Sequence, residues 1–463
     1  MRSTAKSGAI DKETLMLYMM GDLMMKQKVK IGVVCLTRTT YEYQTAQKMY
    51  LDTIEGLRKI PDVEFYFEED CVIEIEDAMI SAERLLAKNI DGLVIISGTF
   101  HLGHLALVYA KYIKKPFLLW APSELPYDGG KIRLNSVCGI NLNASNLYKT
   151  GKDDCFFVFG DKIDEEWIEA LRIKVALENS RVGLVGYRAH GFFNVGVDDM
   201  DIYRKTGLLI DHYEIEEMFS QECGPSELQA QITQVKELFV CDDITEEQVE
   251  KVAGLCVRAE KFMAKNKLDA IAVRCWPEYA ASYGIAPCAT MSILQSKGYI
   301  MACEGDVEGA LSMLAGKAIG VETPYLADLS QVDIEQNFAL MWHCGVAPAN
   351  LWDGKSKRTL DTYFAGGRGV TAGFVMKEGP INIMRIDTAR GKTRMFIGAG
   401  ESISMEKQLC GTYCKVRFEN PVDEVFHKVC ETGIAHHVAM YYGEVRAILR
   451  KAAKMLSFEV IES

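Results

Sequence analysis

The 463-residue sequence is poor in histidine, with 8 in all, and two of them, His436 and His437, stand side by side near its end. It has no uninterrupted apolar run approaching the ~20 residues that a membrane-spanning helix needs. The longest candidates are strand-length pieces such as "GLVIIS". It has no Lys/Arg-rich stripe interleaved with aromatics, and its net charge is -12, which argues against nucleic acid as a partner. None of its 14 cysteines forms a CxxC, and most lie in apolar strand-like runs ("VVCLT", "MACEG"). That pattern argues against a disulfide scaffold and for reduced, buried thiols in a cytoplasmic protein. No GxSxG, HExxH or GxGxxG stands in the context its chemistry requires, which disfavours a serine hydrolase, a zincin and a dinucleotide-dependent redox enzyme. The glycine-rich "FAGGRGVTAGF" follows no parallel strand and carries no Walker lysine, so it reads as a turn or bulge.

What is present fits a soluble globular chain of two or three domains, with 49% hydrophobic and 25% charged residues. Residues 1–28 include "LMLYMMGDLMM", but Asp11, Glu13 and Asp22 interrupt the pattern. The segment therefore reads as an N-terminal helical arm that docks on a partner subunit, not as a signal peptide. From residue 29 buried strands alternate with amphipathic helices, the signature of a parallel sheet with crossover helices. The predicted architecture is two doubly wound α/β domains, 29–160 and 161–320. An antiparallel β-barrel-like domain follows over 321–463, where short alternating segments sit between turns and a final helix, "GEVRAILRKAAKML", closes the chain.

Three groups of residues are candidates for chemistry. The strand ending at Val273 delivers Glu278 to a turn at its carboxyl end; alone, such a residue is most often a solvated loop carboxylate. "MACEGDVEGALSM" places Glu304 and Asp306 where a strand meets a helix, and Asp306 serves equally well as a helix cap. Two acids one glycine apart are also good hard ligands for a divalent cation. His436 and His437 lie in a helix-like stretch, where neighbours point apart; buried histidines are usually structural, and at most one is expected to ligate, the other hydrogen-bonding a ligating residue or the substrate. Carboxylates with one imidazole suit manganese, magnesium or cobalt acting as a Lewis acid. Arg38, Thr99 and His101 follow strands of the first domain, where ligands of open α/β folds bind. His343 interrupts an otherwise apolar strand, as a satisfied core histidine also would.

In order along the chain, "GYRAHGFFNVGVDD" (186–199), "RCWPEY" (274–279), "ACEGDVEGALSML" (302–314), "MWHCGVAPANL" (341–351) and "HHVAMYYGEV" (436–445) resemble the L-fucose isomerase and L-arabinose isomerase superfamily, its L-fucose-isomerase-like branch above all. The resemblance implies a metal-dependent aldose–ketose isomerase that works through an enediolate, assembled as a homohexamer with active sites between subunits. It implies a divalent metal, most readily Mn2+ with Mg2+ or Co2+ as alternatives, held by Glu278, by Glu304 or Asp306, and by His437. Glu278 and Asp306 are then the proton carriers. Substrate contacts fall to Arg38, Thr99, His101, Asn194, His343 and His436. The sugar is left open; a sulfonated one is among the candidates because Arg38, Arg188 or Arg394 offers a cation. A non-catalytic sugar-binding protein on the same fold, or a metal-assisted aldolase or epimerase, is the competing expectation.

Overall fold

The computed structural model describes residues 26–463, so the helical arm expected over residues 1–28 falls almost wholly outside the described residues. These residues form two compact units, Lys26–Val175 with Ala447–Phe458, and Ala176–Arg446 with Glu459–Ser463.

In the first unit the apolar runs become five parallel strands, β1 (Val29–Leu36), β2 (Val63–Phe67), β3 (Gly92–Ser97), β4 (Phe117–Ala121) and β5 (Cys155–Phe159), in the order β2-β1-β3-β4-β5. β3 and β4 are buried along their whole length because helices cover both faces. The helix Tyr43–Leu57 shows how the pattern works: Ala46, Tyr50, Ile54 and Leu57 form one buried stripe. Strand order reverses between β1 and β3, the switch point at which open α/β sheets form a crevice. The segment Ala447–Phe458 completes this unit, where Lys451 pairs with Asp164 at 2.6 Å and Lys454 donates to the Cys155 carbonyl at 2.6 Å.

The second unit contains two sheets on one shared hydrophobic core. The smaller is again parallel, β6 (Arg181–Val185), β7 (Leu209–Tyr213), β8 (Ala270–Val273) and β9 (Ile300–Ala302), in the order β7-β6-β8-β9. The turns leaving β6, β8 and β9 at their carboxyl ends carry residues 186–199, 274–278 and 303–306.

The larger sheet has nine strands: β10 (Tyr325–Asp333), β11 (Phe338–His343), β12 (Thr359–Asp361), β13 (Thr371–Val375), β14 (Gly379–Ala389), β15 (Lys392–Ile403), β16 (Thr412–Phe418), β17 (His437–Tyr442) and β18 (Glu459–Glu462). Its order is β12-β13-β16-β11-β10-β17-β14-β15-β18, and β15 also pairs with β16, so the path of pairing through six strands returns to its start. The expectation of an antiparallel sheet needs correcting. β13–β16 and β15–β18 are parallel, because long connections rather than hairpins bring those strands together.

The stretch holding the paired histidines also differs from its helical reading. His437 opens strand β17, and the run "VAMYY" behind it is β-branched and aromatic, as a buried strand favours. The helix Val307–Ala318 packs between the sheets. Ser312 Oγ accepts from the Ile386 amide at 2.8 Å, and the Tyr441 hydroxyl donates to the Ser312 carbonyl. Gly316 lets this helix sit on β17, since a Cβ there would lie 2.5 Å from the Tyr441 ring.

Gly316→Ala tests that contact. Helix propensity alone favours alanine by about 1 kcal/mol. Pushing the helix off a tethered ring costs about 1–3 kcal/mol, so the variant is expected to melt at a lower temperature. A higher melting temperature would show that the contact is slack.

Candidate active site

The site is built in the second unit from the turn after β9 and the facing strands β10, β14 and β17. Glu304 adopts a left-handed backbone (φ 62°), followed by Gly305 at φ 74°. A Cβ on Gly305 would sit 2.4 Å from the Tyr187 carbonyl oxygen and 2.5 Å from Arg188 Cα, so only glycine lets the two loops approach this closely. The Ala189 amide donates to the Glu304 carbonyl at 2.9 Å across the same contact.

Asp306 caps the helix Val307–Ala318, its Oδ1 accepting from the Gly309 amide at 2.8 Å. Arg385 of β14 reaches it with both terminal nitrogens, Nη1 to Oδ2 at 2.7 Å and Nη2 to Oδ1 at 3.1 Å, and also donates to the His437 carbonyl at 3.1 Å. His437 Nδ1 lies 2.9 Å from Asp306 Oδ2. A carboxylate accepts, so Nδ1 donates, which leaves Nε2 as the free nitrogen of the ring. All three side chains are fully buried.

His437 Nε2 is buried without a hydrogen bond, 3.4 Å from Glu304 Oε2 and 3.3 Å from Asp328 Oδ1. Asp328 faces His437 directly across the β10–β17 pairing. Glu304 Oε2 and His343 Nε2 are likewise buried without hydrogen-bond partners. His343 stacks on His437 with ring centroids 5.4 Å apart, and donor atoms of Asp328, His343 and His437 lie within 4.8 Å of one another, as do those of Glu304, His436 and His437. Two hard carboxylate oxygens converging with imidazole nitrogens that lack other partners are a donor set that fits a divalent cation.

The charges agree with this geometry. Burial alone would raise the Glu304 carboxyl, but His436 and His437 outweigh it and hold the group near 2. Burial opposes protonation of His437, and Asp306, Asp328 and Glu304 together push it well above the ordinary histidine range. His343 is raised to about 9, where burial is outweighed by the Cys344 sulfur and Asp328. The Cys344 amide nevertheless donates to its Nδ1 at 2.8 Å, a contact that only the neutral ring can accept. Behind it runs a file of buried thiols, Cys275 and Cys303 at 3.0 Å and Cys288 and Cys344 at 3.5 Å.

The other expected residues are distributed as follows. His436 accepts from Asn194 Nδ2 at 3.0 Å and lies 3.6 Å from Glu304. Both histidines therefore reach Glu304, with rings 4.2 Å apart, and the expectation that they diverge is corrected: His436 sits in the turn before β17, outside strand alternation. Glu278 pairs with Arg274 at 2.6 Å and leaves Oε2 buried and unbonded. It makes no ion pair with the histidines. Its loop is linked to them through Trp276 and Phe192, whose rings lie 6.0 Å apart, and Phe192 lies 5.5 Å from His436. Asp306, expected as a ligand and proton carrier, has both oxygens engaged by Gly309, Arg385 and His437. Arg394 is committed to Asp387 and the Thr432 carbonyl.

Arg38, Thr99 and His101 belong to the first unit. Thr99 Oγ1 accepts from the Arg38 amide at 2.8 Å. His101 has both nitrogens in use, toward Thr99 O at 3.1 Å and Asn143 at 2.9 Å, and burial lowers it to about 4, the profile of a core histidine. Asp328 and Arg385 escaped the sequence reading. The signal for Arg385 was available: a lone arginine in "INIMRID" must be paired if that strand is buried. Asp328 gives no such signal, because it belongs to the site only through strand register.

Residues 32–156 match the N-terminal domain of fucose/sulfoquinovose isomerases, and residues 341–463 match the C-terminal domain of L-fucose isomerase. The chain belongs to the fucose isomerase-like superfamily. It is thereby a sugar isomerase by class. Among its relatives in this superfamily, a sulfoquinovose isomerase from Priestia aryabhattai is 26% identical over 444 residues, 94% of this chain and 99% of the relative. Another, from Alkalicoccus urumqiensis, is 25% identical over 385 residues, 80% of this chain and 86% of the relative. A solved solute-binding protein from Burkholderia multivorans aligns with 64% of this chain and 98% of its own at 11% identity, but with a TM-score of 0.18, which carries no argument about function.

The depressed Glu304 carboxyl sets a pH dependence. Its folded value, near 2, lies below the ordinary 4.5. The stability it contributes is therefore present above pH 4.5 and is lost as pH falls from there toward 2. In chelator, the wild-type protein is expected to lose about 2–3 kcal/mol more than Glu304→Gln across that window. Parallel denaturation profiles for the two proteins would refute this electrostatic account.

Proposed function

We propose that this chain is a metal-dependent aldose–ketose isomerase acting on a sulfonated aldose of the sulfoquinovose kind through an enediolate. The observation that carries the reading is buried His437, its Nδ1 fixed by Asp306 and its Nε2 left without a hydrogen bond between Glu304 and Asp328. The substrate class follows the sulfoquinovose isomerases to which the chain is similar over nearly its whole length.

Glu304, Asp328 and His437 would hold the cation, with His343 close behind, and Mn2+ suits the mixed oxygen and nitrogen set, Mg2+ or Co2+ serving as alternatives. Bound there, a divalent cation supplies Lewis-acid stabilisation of the negative charge that develops on the two sugar oxygens. Asp306 acts as a positioning residue, because its oxygens are engaged and it fixes the His437 tautomer. Glu278 is the proton carrier between C2 and C1. Arg274 holds one of its oxygens, and the other, free of partners, is available to take a proton and return it. Asn194 and His436 form a hydrogen-bonded pair beside the centre, suited to orient sugar hydroxyls. Assembly as a homohexamer with active sites between subunits is part of the same reading, and analytical ultracentrifugation tests it.

Proton NMR in D2O follows the reaction directly. Sulfoquinovose is expected to convert to its ketose with deuterium entering at C1, to stop on dialysis against EDTA, and to resume with Mn2+. Glu278→Gln is expected to abolish turnover while preserving the fold, and Asp328→Asn to weaken Mn2+ binding by more than about tenfold. Undiminished turnover by Glu278→Gln would remove it as the proton carrier. Deuterium at C2 without ketose would make the enzyme an epimerase.

A further inference from the structure

We propose that Arg188 is the anion-recognition residue of this site and that it binds the sulfonate of the substrate. The inference rests on the sulfonated-aldose reading above. The site poses an electrostatic difficulty for such a substrate. Glu278, Glu304, Asp306 and Asp328 are four carboxylates around it, and a sulfonate keeps its charge at any physiological pH. An anionic ligand approaching acids is repelled unless a fixed cation receives its charged end.

The arginines near the centre are mostly spoken for. Arg385 is fully buried against Asp306, Arg394 is held by Asp387, and Arg274 is paired with Glu278. Arg188 has no carboxylate partner among the described residues. Its guanidinium lies instead over the rings of Tyr187 and Phe193, each at 5.2 Å. Aromatic faces hold a guanidinium in place without neutralising it, and its planar fork stays available to two oxygens of a sulfonate. The two rings are 56% and 76% exposed, so this shelf opens to solvent and not to the core.

The loop that carries Arg188 is tied to the reaction centre at two points. The Ala189 amide donates to the Glu304 carbonyl at 2.9 Å, and Asn194 donates to His436 at 3.0 Å. Arg188 therefore sits one residue from a contact with one expected cation ligand, on a loop that also binds the histidine beside it. Gly196 forms part of the seat, since a Cβ there would lie 2.6 Å from Arg188 Nη1.

The test uses the Mn2+-loaded enzyme and two substrates, sulfoquinovose and quinovose (6-deoxyglucose), which differ only in the sulfonate. The readout is the ratio of their kcat/KM values. Where quinovose turns over too slowly, its inhibition constant against sulfoquinovose serves instead. Arg188→Met is expected to lower the preference for sulfoquinovose by about 100-fold, mainly through KM, the loss of a charge-assisted bidentate contact. Arg188→Lys is expected to recover part of that preference. Gly196→Val, which keeps the charge and displaces the guanidinium, is expected to lower it as well. Equal losses on both sugars would make Arg188 a structural residue and overturn the proposal. So would an Arg188→Met enzyme whose preference matches wild type. A wild-type enzyme that isomerises other aldoses but not sulfoquinovose would instead overturn the substrate class and this inference with it, so the two failures are distinct.

Discussion

The buried ion pair between Arg385 and Asp306 is the interaction on which the rest of the site depends. Neither group touches water, and such a pair gives little net stability over an apolar packing of the same volume. Its effect is positional. Asp306 is held at the start of its helix by Gly309 and by both terminal nitrogens of Arg385, so the oxygen it presents to His437 has a fixed place. Removing either partner would strand a charge in the interior at a cost of about 3–5 kcal/mol. That penalty keeps β14, β17 and the helix Val307–Ala318 in one arrangement.

A second acid explains how one arginine serves this crowded region. Glu308 lies 3.7 Å from Arg385 and is fully buried; burial, only partly offset by that arginine, pushes its carboxyl up to about 8. The shift favours its uncharged form. The single positive charge of Arg385 is left to balance Asp306, and the pair contributes nothing net to the field at the site. Glu304 and Asp328 are then the carboxylates that Arg385 leaves to face His437.

The sequence showed the strands and crossover helices of both parallel sheets because buried parallel strands are continuous apolar runs and their helices keep a helical stripe. It also singled out Glu304, Asp306, His436 and His437 as candidates, and the structure brings these four side chains together. It did not reveal how they divide the work. Asp306 and Glu304 look equivalent in "CEGD", and only Arg385, 79 positions away, distinguishes them by occupying Asp306. Asp328 was invisible for a similar reason. Nothing around it in "YLADLSQ" marks it, and its role follows from lying opposite His437 in an antiparallel register that sequence periodicity does not specify. His101 misled because a polar residue at a strand end in an α/β fold suits ligand binding and core hydrogen bonding equally well. Its Asn143 partner comes from a helix 42 positions on.

Charge balance limits what the centre can bind. Glu304 and Asp328 beside a neutral imidazole would sum to a charge of minus two, which a divalent cation would balance and a monovalent one would not. A proton on the histidine would be another balance, since Asp306, Asp328 and Glu304 together raise His437 against its burial. Protons and a cation would therefore compete for the same negative field, and a cation bound there would release protons. Because Asp306 keeps its charge, locked against Arg385, it holds the proton on His437 Nδ1 and leaves Nε2 as the nitrogen that a metal or a second proton would take. The ion pair that orients the ring thus also selects Nε2, facing Glu304 and Asp328, as the nitrogen on which any such exchange would take place.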